Sequence, residues 1–171
     1  MSNKQNIDAF FNGFNAHFET IVPNVIAETA TEFFKDRFKF QSWDGVPWQP
    51  LSTKYAAKKT KGRGRILTQS SALRNSIKPS IVSTSRVVIS AGGSKVPYAR
   101  VHNEGLQVKG IRSVRSYTNR NFMGKGKPVQ IRAHKRAVNY VMPRRQFMGY
   151  SPILNRDIKQ RLQLAWNAQK Y

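Results

Sequence analysis

The chain changes character at Trp43-Asp44-Gly45-Val46-Pro47-Trp48-Gln49-Pro50-Leu51-Ser52, a stretch with two of its three tryptophans. The Asp-Gly pair and the two prolines favour a turn followed by extended backbone. We predict that Trp48 and Leu51 fill the edge of the core and pin helices to a sheet. Trp43 is a candidate for contact with a neighbouring protein.

Before this stretch the sequence has a helical pattern. Apolar residues follow the i, i+3, i+4 spacing of one helical face at Ile7, Phe10, Phe11, Phe14, Phe18 and Ile21. Pro23 removes a backbone donor, so we predict a break near Val22 and a second helix from about Asn24 to Phe38. The residues expected to face inward there are Val22, Ile26, Ala30, Phe33 and Phe34.

The elements predicted after this stretch are shorter. We predict a short helix at Ser52 to Lys59, a basic loop to Arg65, and a helix capped by Ser70 or Ser71 that ends near Ile77. Two strands are expected at 81–82 and 87–89, then a helical turn at 97–105 that Gly105 closes. Ser151 and Pro152 begin a last helix with the inward face Leu154, Ile158, Leu162, Ala165 and Trp166.

Residues 106–141 form the least ordinary segment. They contain strand-like alternation at 129–133, a glycine- and lysine-rich centre at 124–127 and no acidic residue. A long β-hairpin or extended arm is the predicted structure. The whole is expected to be one α+β domain over residues 1–171, with N-terminal and C-terminal helices packed on a small antiparallel sheet and a projecting basic arm.

The distribution of charge points to a polyanionic partner. The net charge is +22, and residues 45–156 hold 23 of the 30 lysines and arginines but only Glu104 among the eight acids. Such a field attracts nucleic acid, an anionic membrane surface or an acidic protein face. The arm residues predicted to contact a polyanion or partner are Lys109, Arg112, Arg115, Arg120, Lys125, Lys127, Arg132, Lys135 and Arg136.

Composition also argues against several classes of protein. The chain has no cysteine, which excludes disulfides and thiolate metal sites and fits a reducing compartment or a virion. The start resembles no signal peptide, and no window is apolar enough to span a bilayer, so we expect a soluble protein made in the cytoplasm without a membrane partner.

We expect no enzymatic activity, no cofactor and no metal. Two-metal nucleases and glycosidases need a pair of converging carboxylates, whereas residues 45–156 contain one. His102-Asn103-Glu104 matches the H-x-E fragment of zinc deaminases, but that chemistry requires a pair of cysteines. The glycine-rich fragments lack the spacing of a phosphate-binding loop and are expected to be loop tips.

Four fragments in order carry a family resemblance: Gly45 to Ser52, Ile66-Leu67-Thr68 with Leu73 to Ile77, Tyr98 to Gly105, and Pro143 to Ser151. In this order the chain resembles the virion-morphogenesis, or tail-completion, family of tailed bacteriophages. It departs from the family pattern at Gln146, where a proline is usual.

The resemblance implies a non-enzymatic α+β subunit, repeated as a ring in the neck that joins head to tail. The implied partners are portal or connector, tail-terminator and tail-tube proteins, with packaged DNA as a further contact if the arms line the channel. Its place is the virion, assembled in the host cytoplasm.

The sequence allows two interpretations of the residues 144–147 and two of the function. Arg144, Arg145 and Phe147 are expected near an inter-subunit or partner interface, while the alternative makes Phe147 ordinary core and the arginines its solvated flank. The rival function is a sequence-independent nucleic-acid-binding protein of ribosomal or nucleoid type.

Overall fold

The structure is a computed structural model, and it describes residues 3–53, 56, 65–120 and 128–168. The helices are α1 (Asn3–Phe40), α2 (Ala72–Asn75), α3 (Ala99–Glu104) and α4 (Pro152–Asn167). The strands are β1 (Ser42–Trp43), β2 (Val46–Pro47), β3 (Lys78–Val82), β4 (Val87–Ser90), β5 (Gln107–Val114), β6 (Tyr117–Asn119), β7 (Val129–Ile131) and β8 (His134–Val141). Mixed helices and small antiparallel sheets confirm the predicted α+β class.

Helix α1 is the longest helix among the described residues, and it continues through Pro23 without interruption. The predicted break near Val22 is therefore wrong. A mid-helix proline costs about 3 kcal/mol because it removes a hydrogen bond and crowds the preceding turn. The residues after it bury one continuous face, and each fully buried phenylalanine offsets about 1.5–3 kcal/mol of that cost. Packing thus overrides the local preference of one residue.

That buried face agrees with the sequence. Ala30, Phe33 and Phe34 are buried, and Val22 and Ile26 are half-buried. They pack against β3, β4 and α4. The side chains of Ile7, Phe10, Phe11 and Phe14 lie outside the described part of the chain. At about 1.5 Å per residue, α1 is about 57 Å long, yet no helix among the described residues is long and apolar enough to cross a membrane.

The strands form four two-stranded antiparallel sheets: β1 with β2, β3 with β4, β5 with β8, and β6 with β7. Asp44 and Gly45 join β1 to β2 with φ of 45° and 84°, the left-handed pair that a two-residue hairpin turn requires. The predicted strands at 81–82 and 87–89 are confirmed within β3 and β4. In the segment 106–141, β5 pairs with β8 over eight residues. Residues 121–127 lie outside the described ranges, so a single long hairpin stays a prediction.

Two other predicted helix ends are confirmed, and the predicted capping bond from Ser71 is absent. Gly105 closes α3 in the left-handed region with φ 72°, and the Ser151 hydroxyl caps α4 by accepting a hydrogen bond from the Leu154 amide at 3.2 Å. Helix α2 follows Ser71, whose side chain makes no capping bond to it. The helix and basic loop predicted for 52–65 fall mostly outside the described residues.

Trp48 closes the centre of the core. It is 6% exposed, and its ring lies 5.4 Å from that of Phe38 in an edge-to-face contact. Phe38 in turn lies 5.2 Å from Phe147. The indole Nε1–H of Trp48 donates to the Gln146 carbonyl at 2.7 Å. The ring therefore joins α1 to the segment before α4, whereas the prediction placed it between helices and a sheet. Leu51, paired with it in that prediction, is half-buried.

Trp48→Ala should lower the free energy of unfolding by about 3–5 kcal/mol, because it leaves a cavity between Phe38 and Phe147. Thermal unfolding followed by circular dichroism measures the change. Val46→Ala on β2, where the side chain is 69% exposed, is the control and should stay within about 0.5 kcal/mol. Equal stability of the two variants would show that Trp48 does not hold the core.

Candidate functional site

Two of the other three stretches of the resemblance, 45–52 and 98–105, form hydrogen bonds with the fourth, residues 143–151, which precedes α4. Asn103 of α3 holds its centre: Oδ1 accepts hydrogen bonds from the amides of Phe147 at 2.9 Å and Met148 at 3.0 Å. Its Nδ2 donates to the Met148 carbonyl at 3.2 Å. A side-chain amide can offer both an acceptor and donors. Asn103 thus satisfies three backbone groups of an irregular segment that has no strand partner there.

The end of this segment is tied to the β1–β2 turn. The Ser151 hydroxyl donates to the Asp44 carboxylate at 2.5 Å while it caps α4. Asp44 is half-buried, and hydrogen bonds to a charged acceptor are stronger than neutral ones. The turn after α1 and the start of α4 are therefore held together by one hydroxyl.

The beginning of the segment passes very close to α3. A Cβ on Gly105 would lie 2.8 Å from the Arg144 Cβ and 3.1 Å from its backbone nitrogen. Glycine is required here twice, for this contact and for its positive φ.

Arg145 is the most unusual residue of the segment, because it is only 4% exposed. Its backbone amide donates to the His102 carbonyl at 2.8 Å, and its guanidinium Nε donates to the Gln49 carbonyl at 3.2 Å. Among the described residues no carboxylate forms an ion pair with it. Burial lowers the pKa of Arg145. Burial, and then the charge of Arg145, lowers the pKa of His102.

The four predicted interface residues therefore lie at different depths. Phe147 is 1% exposed and belongs to the core, in agreement with the alternative stated for it. Arg145 is buried too, and it is not a solvated flank, because backbone carbonyls receive its donors. Arg144 is exposed and donates to the Gln146 side chain at 2.5 Å. Trp43 is half-buried, stacked on Phe34 with ring centroids 6.2 Å apart.

Sequence reasoning missed Asn103 and Gln49. Asn103 acts on backbone groups 44 and 45 residues away, and Gln49 contributes its carbonyl rather than its side chain. The local sequence carries no signal for either role. The position of Asn103 within the Tyr98 to Gly105 fragment was the nearest indication.

The second candidate surface is the ribbon, which we define as the paired strands β5 and β8. Arg112 lies directly opposite Arg136 in the ladder, and cross-strand partners project from the same face. Like charges placed opposite each other destabilise a sheet. The predicted contact residues are exposed wherever they are described, at Lys109, Arg112, Arg115, Arg120, Arg132, Lys135 and Arg136. Lys125 and Lys127 lie outside the described residues.

The ribbon also exposes apolar side chains. Ile111 is 74% exposed, Val141 68% and Tyr140 48%. The two strands pack mainly on each other and not on a helix. Basic and apolar groups thus share an element that the rest of the described subunit leaves largely uncovered.

The described part of the chain holds no cluster of His, Asp and Glu side chains that could bind a metal ion. The arrangement instead offers a rigid junction around 143–151 and an exposed basic ribbon.

Asn103→Ala should lower the free energy of unfolding by about 1–3 kcal/mol for each amide left without an acceptor. Two amides are affected, those of Phe147 and Met148. Urea unfolding measures the loss. Asn139→Ala, which removes an exposed bond to Gln107, is the matched control and should be nearly neutral. If both variants unfold at the same urea concentration as the unchanged protein, Asn103 does not hold the segment.

Comparison with known proteins gives one match. The sequence model of the phage virion morphogenesis family matches residues 15–165. Neither the curated proteins nor the solved structures contain a match. The matched range includes α1 from Asn15 onward, the junction around 143–151, the ribbon and nearly all of α4. By this match over most of its length, the chain belongs to the phage virion morphogenesis family.

Proposed function

We propose that this protein is a structural subunit of the virion neck that completes the tail and joins it to the head as a member of a closed ring. Family membership supports a role in virion assembly. The observation that carries the finer proposal is the ribbon, a basic element attached to a body held rigid by the bonds around 143–151. A subunit of this form can bind its neighbours through protein–protein contacts without catalysis.

Ring closure requires two different patches on each subunit, because each copy contacts the next head to tail. The ribbon supplies one uncovered patch. Arg144 supplies a second candidate, because it is the exposed arginine of the junction.

The partners we propose follow from the charge. Exposed arginines and lysines of the ribbon complement an acidic rim, since opposite potentials steer and align protein partners. Portal or connector proteins on one side, and tail-terminator or tail-tube proteins on the other, are the proposed neighbours in the virion.

A phage from which this chain is removed should accumulate DNA-filled heads and finished tails that are not joined. Electron microscopy of lysates shows the outcome, and purified protein added to such a lysate should restore joined particles. Native mass spectrometry should find the purified protein as one whole-number multiple of 19.5 kDa.

The matched variants for this experiment are Arg144→Glu and Arg74→Glu, which both change exposed arginines. Arg144→Glu should reduce joining because it reverses a charge beside the junction, and Arg74→Glu on α2 should not. Normal virions formed without the chain would refute the neck role. Equal joining of heads and tails by the two variants would show that Arg144 does not contribute to the interface.

The ribbon also supports a second candidate function, sequence-independent contact with nucleic acid. Arg112 and Arg136 face each other across the ladder, and a phosphate between them would relieve their repulsion through charge-assisted hydrogen bonds. This contact fits either a DNA channel lined by ribbons or a basic protein of ribosomal or nucleoid type.

Arg112→Ala combined with Arg136→Ala should weaken binding to random-sequence duplex DNA. The slope of log K against log salt should fall in magnitude by about 2, because each phosphate contact contributes about 0.9. Arg74→Ala combined with Arg86→Ala, both exposed and outside the ribbon, should leave the slope unchanged. Fluorescence anisotropy in a salt series measures it, and identical slopes for the two double variants would exclude the ribbon as the DNA contact.

A further inference from the structure

The register of the ribbon divides its side chains between two faces. Cross-strand partners project to the same side, and neighbours along a strand project to opposite sides. Arg112 and Arg136 are partners, and we call their side the arginine face; it also carries three valines and Tyr140. The opposite side, which we call the lysine face, carries Gln107, Lys109, Ile111, Ser113, Lys135 and Asn139.

The two faces differ in exposure. Val108, Val114 and Val138 of the arginine face are half-buried, whereas every residue of the lysine face is exposed. Most side chains of the lysine face end in hydrogen-bonding groups. The Gln107 amide donates to Asn139 Oδ1 at 2.8 Å, which holds the two amides together across the strands. The lysine face is therefore a polar surface that the described chain leaves open.

Cations project from both faces and from both strands of the ribbon. Strand β5 carries Lys109 on one face and Arg112 on the other, and β8 carries Lys135 and Arg136 in the same way. Residues 106–141 contain no acid, and among the described residues no ion pair involves the ribbon. A flat acidic protein surface would reach only one of the two faces. Cations on both faces suit a polyanion that encloses the ribbon.

The major groove of duplex DNA is an enclosure of this kind. It is about 12 Å wide and about 8.5 Å deep, and it admits a two-stranded β-ribbon. Paired strands lie about 4.8 Å apart, and eight residues extend about 27 Å. The strands β5 and β8 pack mainly on each other, as an element that enters a groove must. Phosphates line both walls of the groove, and base edges form its floor.

We propose that the ribbon inserts into the major groove of duplex DNA with its lysine face toward the base edges. This proposal deepens the nucleic-acid contact described above as the second candidate function, and it rests on that function. Lysine donates to guanine O6 and N7, and asparagine and glutamine pair with adenine; Lys109, Lys135 and Asn139 supply these groups. Arg112 and Arg136 project toward the mouth of the groove, where charge-assisted hydrogen bonds to phosphates hold the ribbon in place.

Two duplexes of the same sequence test the insertion with the unchanged protein. In one duplex glucosylated 5-hydroxymethylcytosine replaces cytosine, so that the sugar fills the major groove while the phosphates and the minor groove stay as they were. Fluorescence anisotropy at one salt concentration measures both affinities. The affinity for the groove-filled duplex should be lower by about tenfold or more, the loss of one or two base-edge contacts. Equal affinity for the two duplexes would overturn the insertion.

Matched pairs of lysine variants test which face enters the groove. Lys109→Ala combined with Lys135→Ala should bring the ratio of the two affinities close to 1. Lys78→Ala combined with Lys95→Ala removes the same charge from exposed positions outside the ribbon and should leave the ratio unchanged. The two duplexes have the same phosphates, so a general loss of positive charge does not alter the ratio. A ratio that both double variants preserve would overturn the assignment of the lysine face to the groove.

The insertion and the functions proposed above fail in different ways. Duplex binding that is insensitive to the filled groove overturns the insertion and leaves the phosphate contact of Arg112 and Arg136 standing. Absence of binding to either duplex at physiological salt overturns both the insertion and the nucleic-acid contact. In that case an acidic protein surface is the partner of the ribbon, and the neck role is unaffected.

Discussion

The hydrogen bonds between Asn103 and the backbone of Phe147 and Met148 are the constraint on which the rest of the structure depends. Residues 143–151 are irregular, so their polar backbone groups have no ladder to satisfy them. The Asn103 side chain forms hydrogen bonds with these groups instead. The segment is thereby held where Phe147 packs in the core against Phe38. Together with the bonds from Trp48 and Arg145, this set attaches the segment that follows the ribbon, which ends at Val141, to the body.

Helix α1 gives the body its second fixed element. It supplies the Phe38 ring, which contacts both Trp48 and Phe147, and one wall of an apolar pocket that Val87, Val88 and Ile89 also line. The buried Arg37 stays on this helix because Nε donates to the Phe33 carbonyl at 3.2 Å and the guanidinium lies 4.0 Å from the Phe33 ring centroid. A buried cation that contacts a carbonyl oxygen and an aromatic face is partly stabilised without a carboxylate partner. Arg145 is likewise bound by a backbone carbonyl, that of Gln49.

The sequence predicted the elements whose causes are local. Gly105 closes α3 and Ser151 caps α4 because left-handed backbone and N-caps select particular residues. The helix break at Pro23 was wrong because the local cost is outweighed by a buried face formed with distant strands. Within the candidate site, the exposure of the ribbon's basic residues was predictable from charge. The burial of Arg145 was not, because its acceptors come from residues 49 and 102.

The ribbon's charge has a consequence for the free subunit. Its outer strands present unpaired backbone edges, and exposed edges of this kind promote aggregation with other copies. Two ribbons that met edge to edge would bring Arg112, Arg136 and Lys135 of each copy together without one acid from the segment 106–141. Because like charges placed side by side repel, the same basic residues that give the ribbon its charge disfavour fibre-like stacking of free subunits through these edges.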